Sequence, residues 1–206
     1  MLRLHDSLIS GNAYKCRLLL HHLRLPFERV EVDILGGASR TPAFARLNPE
    51  RRIPVLELPD GTCLPESDAI LCYLADGTPW LPDGRMDRAQ VLRWLFWEQY
   101  SHEPNIATAR HWVAHLPPDP ERERLLPGKR ELGLRALGVM EGHLGERSWF
   151  AAERPTVADL ALYAYTHVAP EGGFDLGPFP AVRAWLERVS ALPGHVPMGF
   201  ADGRAA

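Results

Sequence analysis

Cysteine is scarce. The 206 residues hold three, Cys16, Cys63 and Cys72. That is an odd number with no C-x-x-C spacing, which argues against a disulfide framework and against a cysteine zinc site. Long apolar runs are missing too: no stretch approaches the ~20 residues of a membrane helix, so no membrane association is expected. Basic charge is not in excess. With 23 Lys and Arg against 26 Asp and Glu, the formal net charge is -3. This removes the basic field on which nucleic-acid binding relies, though not a local basic pocket. The first residues, MLRLHDSLISGNAYK, lack the charged-then-apolar layout and small-residue cleavage site of a secretory leader. The cytoplasm is therefore the expected location. Internal repeats and low-complexity tracts are also absent. What remains is ordinary for a globular protein: 46% apolar and 24% charged residues, enough to bury a core without staples.

The pattern changes character partway along. LRLHD (Leu2 to Asp6) reads as a strand, and a helix follows from Ala13 to about Arg24, with Cys16, Leu19, Leu20 and Leu23 at helical spacing. Phe27, Val30, Val32 and Ile34 alternate as a strand does. A loop and a short helix end at Pro49. IPVLEL is a third strand, and Asp60-Gly61 turns it into an antiparallel return, TCLPE. SDAILCYLAD is the next helix, with Ser67 as its N-cap. Strand-helix-strand-helix-strand-strand-helix is a thioredoxin-like order, and the first two strands should run parallel through their helical crossover.

GTPWLPDG (Gly77 to Gly84) is turn-rich and reads as a linker. Beyond it the signals are helical. DRAQVLRWLFWEQYSHEPNIATARHWVAHL is one long pattern, bent at Pro104. PPDPERER reads as a solvated charged loop. ELGLRALGVMEGHLGE, TVADLALYAYTHV and FPAVRAWLERVSAL are three further helices. The expected fold is thus an α/β thioredoxin-like N-terminal domain (residues 1–77), a linker (78–86) and an all-α helical-bundle C-terminal domain (87–206).

Several residues stand out. Pro54 sits second in a strand, where it cannot donate to a ladder. Ser67 heads a helix whose free N–H groups suit a carboxylate. Thr156 and Asp159 have capping-box spacing, with Pro155 and Leu160 placed for a staple; this is a folding element. His111 and His115 are four apart on a helix, but no further ligand set accompanies them, so no metal site is expected.

Four segments, taken together and in order, carry a resemblance: SGNAYKCRLLL (Ser10 to Leu20), LNPERRIPVLEL (Leu47 to Leu58), ESDAI (Glu66 to Ile70) and RPTVADLALYAY (Arg154 to Tyr165). FWEQYSHEP (Phe96 to Pro104) adds a fifth. Over nearly its whole length the chain resembles the cytosolic glutathione transferases, bacterial type. The resemblance implies that Pro54 is cis and that the backbone of Ile53 pairs with the cysteinyl part of glutathione. It implies that Glu66 and Ser67 hold the γ-glutamyl group, and that Arg52 grips the glycyl carboxylate, with Arg51 and Arg40 as alternatives. It favours Ser10, assisted by Asn12, as donor to the glutathione sulfur; Ser7 and Tyr14 are the other candidates. Tyr14, Tyr100, His102, Asn105 and Arg110 would line the second-substrate pocket. Glutathione is then a co-substrate, no cofactor or metal is needed, the second substrate is a small, mostly apolar electrophile, and the chain is a homodimer. Two other functions fit the same resemblance: a glutathione-dependent peroxidase or disulfide reductase, and a non-catalytic glutathione-binding module.

Overall fold

The computed structural model describes residues 1–201. The chain divides into two compact units, Met1–Thr78 joined by the segment from Leu192 onward, and Pro79–Ala191. The segment from Leu192 to the last described residue thus groups with the sheet rather than with the helices that precede it.

The first unit is built on a four-stranded sheet in the order β2-β1-β3-β4. β1 (Leu2–Asp6) runs parallel to β2 (Phe27–Glu31), with Leu4 opposite Arg29. α1 (Gly11–His22) connects them. A short α2 (Pro42–Ala45) precedes β3 (Val55–Glu57), which is antiparallel both to β1 and to β4 (Cys63–Pro65). β3 is shorter than IPVLEL suggests, because Ile53 and Pro54 stand outside the ladder. α3 (Ser67–Ala75) closes the unit and packs against α1.

Four side chains tie the returning chain end down. The Tyr14 hydroxyl donates to the Val196 carbonyl at 2.7 Å. Arg17, wholly buried and paired with Asp6, donates to the Met198 carbonyl. His22 Nδ1 meets the Pro193 carbonyl at 2.9 Å, and Arg29 donates to Ala201 O at 3.1 Å. None of these partners is adjacent in sequence, so the pattern of the sequence carries no sign of them.

The second unit is helical: α4 (Arg85–Trp97), α5 (Glu103–Arg110), α6 (Pro120–Glu146), α7 (Val157–Thr166) and α8 (Pro180–Ser190). All ten residues of α7 are buried, and α4, α5 and α8 pack around it. The expected bend at Pro104 is a π-helical turn, Glu98–His102, between α4 and α5. The wider turn accommodates a proline that has no N–H to donate. PPDPERER is loop only over its first three residues. α6 starts at Pro120, with Asp119 as N-cap accepting from Arg122 N at 2.9 Å, and runs on through Pro127. Gly133 lets α6 come close to its neighbours: a Cβ there would lie 2.4 Å from Phe174 Cε1. Among the described residues, no helix is long and apolar enough to cross a membrane.

The capping box at α7 is formed, and it reaches further than its spacing suggests. Asp159 Oδ2 accepts from Thr156 N (2.8 Å) and Thr156 Oγ1 (3.2 Å). Its Oδ1 accepts from Phe150 N (3.2 Å) and from Trp185 Nε1 (3.1 Å). Complete burial still pushes the Asp159 carboxyl up to about 6, against those four donors.

Candidate active site

The β3–β4 register gathers one half of the site. Val55 faces Pro65, Leu56 faces Leu64 and Glu57 faces Cys63. The ladder ends at the Val55–Pro65 pair, so Ile53-Pro54 and Glu66-Ser67 flank the same end of it. Two dipeptides distant in sequence thereby flank one end of the sheet. The Ile53–Pro54 peptide is cis, as the resemblance implies.

Each of these residues is held from behind. The Ile53 side chain packs on the apolar cluster of Val32, Phe44 and Val55. The loop before it is pinned by Asn48, nearly fully buried, whose Nδ2 donates to Arg52 O at 2.8 Å and whose Oδ1 accepts from Glu50 N at 3.0 Å. Sequence reasoning had no role for Asn48 beyond its place in the LNP run. Arg51, at φ 56°, is forced into the left-handed region by this turn. Arg40, Arg51 and Arg52 are all exposed, so geometry does not rank them.

Ser67 is not the N-cap of α3. Glu66 occupies the cap position at φ 71°, and Ser67 is the first helical residue. The chain leaves β4 at Pro65 and must enter α3 within one residue, and the left-handed turn at Glu66 achieves this. The shift keeps Ser67 at the helix N-terminus and buries it, with 4% of its surface exposed. Its Oγ lies 3.4 Å from the Nζ of Lys15, a completely buried lysine of α1. Lys15 had no place in the sequence reading. Its only signal was a cation inside AYKCRLLL, a stretch too apolar to offer an obvious solvent face.

The other half is the start of α1. Ser10 is the N-cap, extended at φ -86° and ψ 116°, and its Oγ accepts from Ala13 N at 3.2 Å. An accepting oxygen keeps its own proton, so capping and donation to a ligand are compatible. Asn12, half-buried, lies in the first turn. Ser7 is buried, and its carbonyl accepts from Ser10 N. Tyr14 leaves the donor set: it is fully buried, and its proton goes to Val196 O. Cys16 is buried one turn further on, and burial pushes its thiol well above the usual range.

The five residues expected around the second substrate do not form one set. Tyr14 belongs to the core of the first unit. In the second unit, His102 is completely buried with Nε2 2.9 Å from Thr166 Oγ1. Arg110 is nearly buried and donates to Glu171 at 2.6 Å. Tyr100 and Asn105 meet at a concave surface, a groove of about 510 Å³ shared with Trp97, Leu132, Arg135 and Val139. Burial, assisted by the Arg110 charge, lowers both His111 and His115 below the usual histidine range. Among the described residues no group of three or more His, Cys, Asp or Glu is arranged to hold a metal ion.

Comparison with known proteins agrees with this layout. A family model for the glutathione S-transferase N-terminal domain matches residues 9–76, and one for the C-terminal domain matches residues 105–193. A crystal structure of a glutathione S-transferase from Pseudomonas fluorescens superposes with a TM-score of 0.93 at 50% identity, over 96% of this chain and 98% of that one. The structure of Ure2p in complex with glutathione gives 0.83 at 25% identity, over 94% and 90%. The disulfide-bond oxidoreductase YfcG of Escherichia coli (strain K12) is 30% identical over 191 residues, 89% of this chain and 88% of that protein. The sheet, the helical unit and the matched sequence point the same way: the chain belongs to the glutathione S-transferase family of enzymes.

Proposed function

We propose that the chain binds glutathione through its first unit, activates the thiol as thiolate and joins it to small, mostly apolar electrophiles. The observation that carries this is that Ile53-Pro54 and Glu66-Ser67 flank the same end of the β3–β4 ladder, where α3 begins. Ile53 then pairs its N–H and C=O with the cysteinyl backbone, as an added strand does. Ser67 and the first N–H groups of α3 take the γ-glutamyl carboxylate, with Glu66 beside them, and Arg52 takes the glycyl carboxylate. The sulfur then meets Ser10 and Asn12 at the start of α1.

The energetics need no metal and no general base. A thiol of pKa ~8.5 is only a few per cent ionised near neutrality. Lowering it by ~2 units takes about 2.7 kcal/mol of preference for the thiolate. One charge-assisted hydrogen bond gives ~1.5–3 kcal/mol, and a helix N-terminus adds ~0.3–1 kcal/mol. The sulfur lone pair then attacks the electrophilic carbon, forming a thioether as the leaving group departs or the product takes up a proton.

A second reading, glutathione-dependent disulfide reduction, is favoured by the likeness to YfcG. On this chain its electrons come from glutathione, two thiols giving one disulfide, because Cys16 is buried with a raised pKa. Calorimetry with glutathione, followed by electrophile and disulfide panels, tests both. Conjugation supports the first reading, turnover of disulfides alone supports the second, and absence of glutathione binding removes both.

We also propose a homodimer. Phe96 at the end of α4, Tyr100 within the π turn, and Leu132 and Val139 on α6 leave large apolar surfaces exposed, and three of these four side the same groove. Such a patch marks an association surface.

A further inference from the structure

Lys15 lies on the α1 face that packs against α3 and is completely buried. Its ammonium is 3.4 Å from Ser67 Oγ and 3.4 Å from Asp68 Oδ1. Removing an ammonium from water is costly, and a buried ion pair stabilises no better than well-packed apolar side chains. Stability alone therefore gives no reason for a lysine here. Its position does. Ser67 and Asp68 are the first two residues of α3, the end that favours negative charge.

Two consequences follow from the contacts. A lysine ammonium can only donate, so Ser67 Oγ is the acceptor in this pair, and the serine proton is left to point at an anion. Asp68 stands one residue along from Ser67, and unpaired it would repel a carboxylate at the same terminus; the Lys15 charge offsets it. We propose that Lys15 is a positioning residue for the γ-glutamyl carboxylate of glutathione, orienting Ser67 as a donor and neutralising Asp68. This rests on the reading that glutathione's γ-glutamyl end meets Ser67.

The test is calorimetry on the full chain with two ligands, glutathione and its analogue carrying an amide in place of the γ-glutamyl α-carboxylate. Lys15→Met should weaken glutathione by about tenfold or more, the effect of losing one charge-assisted contact. Affinity for the amide analogue should stay near the parent's. A merely structural role moves both ligands together. At saturating glutathione kcat should be unchanged, because the sulfur is served by the start of α1. Asp68→Asn should tighten glutathione, since the repelling carboxylate is gone while the ammonium stays. Equal discrimination between the two ligands in the parent and in Lys15→Met overturns the assignment. If Lys15→Met does not fold, Asp68→Asn decides: tighter binding upholds the assignment, and unchanged or weaker binding overturns it. A parent that fails to bind glutathione overturns the functional reading and this assignment with it.

Discussion

Replacing Ser10 separates a cap from a catalytic donor. Its Oγ accepts from Ala13 N at 3.2 Å, which leaves one hydroxyl proton for the sulfur. Losing one charge-assisted bond of ~1.5–3 kcal/mol should raise the pKa of bound glutathione by about 1–2 units. Ser10→Ala also removes the cap, at ~0.5–2 kcal/mol of stability, whereas glycine at an N-cap costs only a few tenths. The two variants therefore share the loss of the donor and differ in the loss of the cap. The assay is the ultraviolet absorbance of the bound thiolate, titrated with pH. Both variants should show the same rise in midpoint, and only Ser10→Ala should show a clearly lower melting temperature.

Turnover is a weaker reporter than the titration. A thiolate of higher pKa is intrinsically more nucleophilic, with a coefficient of about 0.4–0.5 per unit. Roughly half of the loss at neutral pH is thereby offset, so the rate at pH 7 should fall only a few-fold. At high pH, where every thiol is ionised, the variants should match or exceed the parent. If neither substitution moves the midpoint, Ser10 is a cap alone. If Asn12→Ala moves it more than Ser10→Ala does, the two residues exchange roles.

Three further outcomes are expected. Tyr14→Phe should lower stability by about 1–3 kcal/mol, because the Val196 carbonyl loses its donor, and should leave the thiolate midpoint unchanged; a shifted midpoint returns Tyr14 to the donor set. Asp159 is held at about 6 in the folded chain against an ordinary 3.8, so the folded state binds its proton more tightly than the unfolded one. Stability from this group is then greatest below about pH 4 and falls by about 3 kcal/mol as pH rises through 6; relative to Asp159→Asn, the parent should gain on acidification from pH 7 to 4, and parallel stability profiles would contradict the assignment. Sedimentation should show a dimer at micromolar concentration, and Val139→Glu should shift it towards monomer without unfolding; a parent that is monomeric there ends the dimer proposal.

The sheet was legible because its signals are local. Alternation marked the strands, and Asp60-Gly61 fixed the hairpin whose ladder ends beside Ile53-Pro54 and Glu66-Ser67. The start of α6 was also marked, by Asp119, Pro120 and the acidic residues of its first turn. The charged run PPDPERER was nonetheless read as a solvated loop; α6 also continues through Pro127, since one interior proline bends or weakens a long helix without ending it when tertiary packing holds both sides. The pocket residues are a different case. Tyr14, His102 and Arg110 were placed at a pocket by the family resemblance alone. Each instead finds a partner far along the chain: Val196 at 182 residues, Thr166 at 64 and Glu171 at 61.

Helical spacing tells which residues share a face. It does not tell which faces a distant segment will cover. The same limit hid Lys15, since α3 covers that face from 52 residues away. A charged residue within an otherwise apolar helix therefore marks a buried partner that the spacing does not name. At Tyr14 and Arg17 the partners are carbonyls of the returning chain end, so those two residues serve the fold. At Lys15 the partner is Ser67 at the start of α3, and on the proposed assignment burial removes the lysine from solvent without removing it from the chemistry.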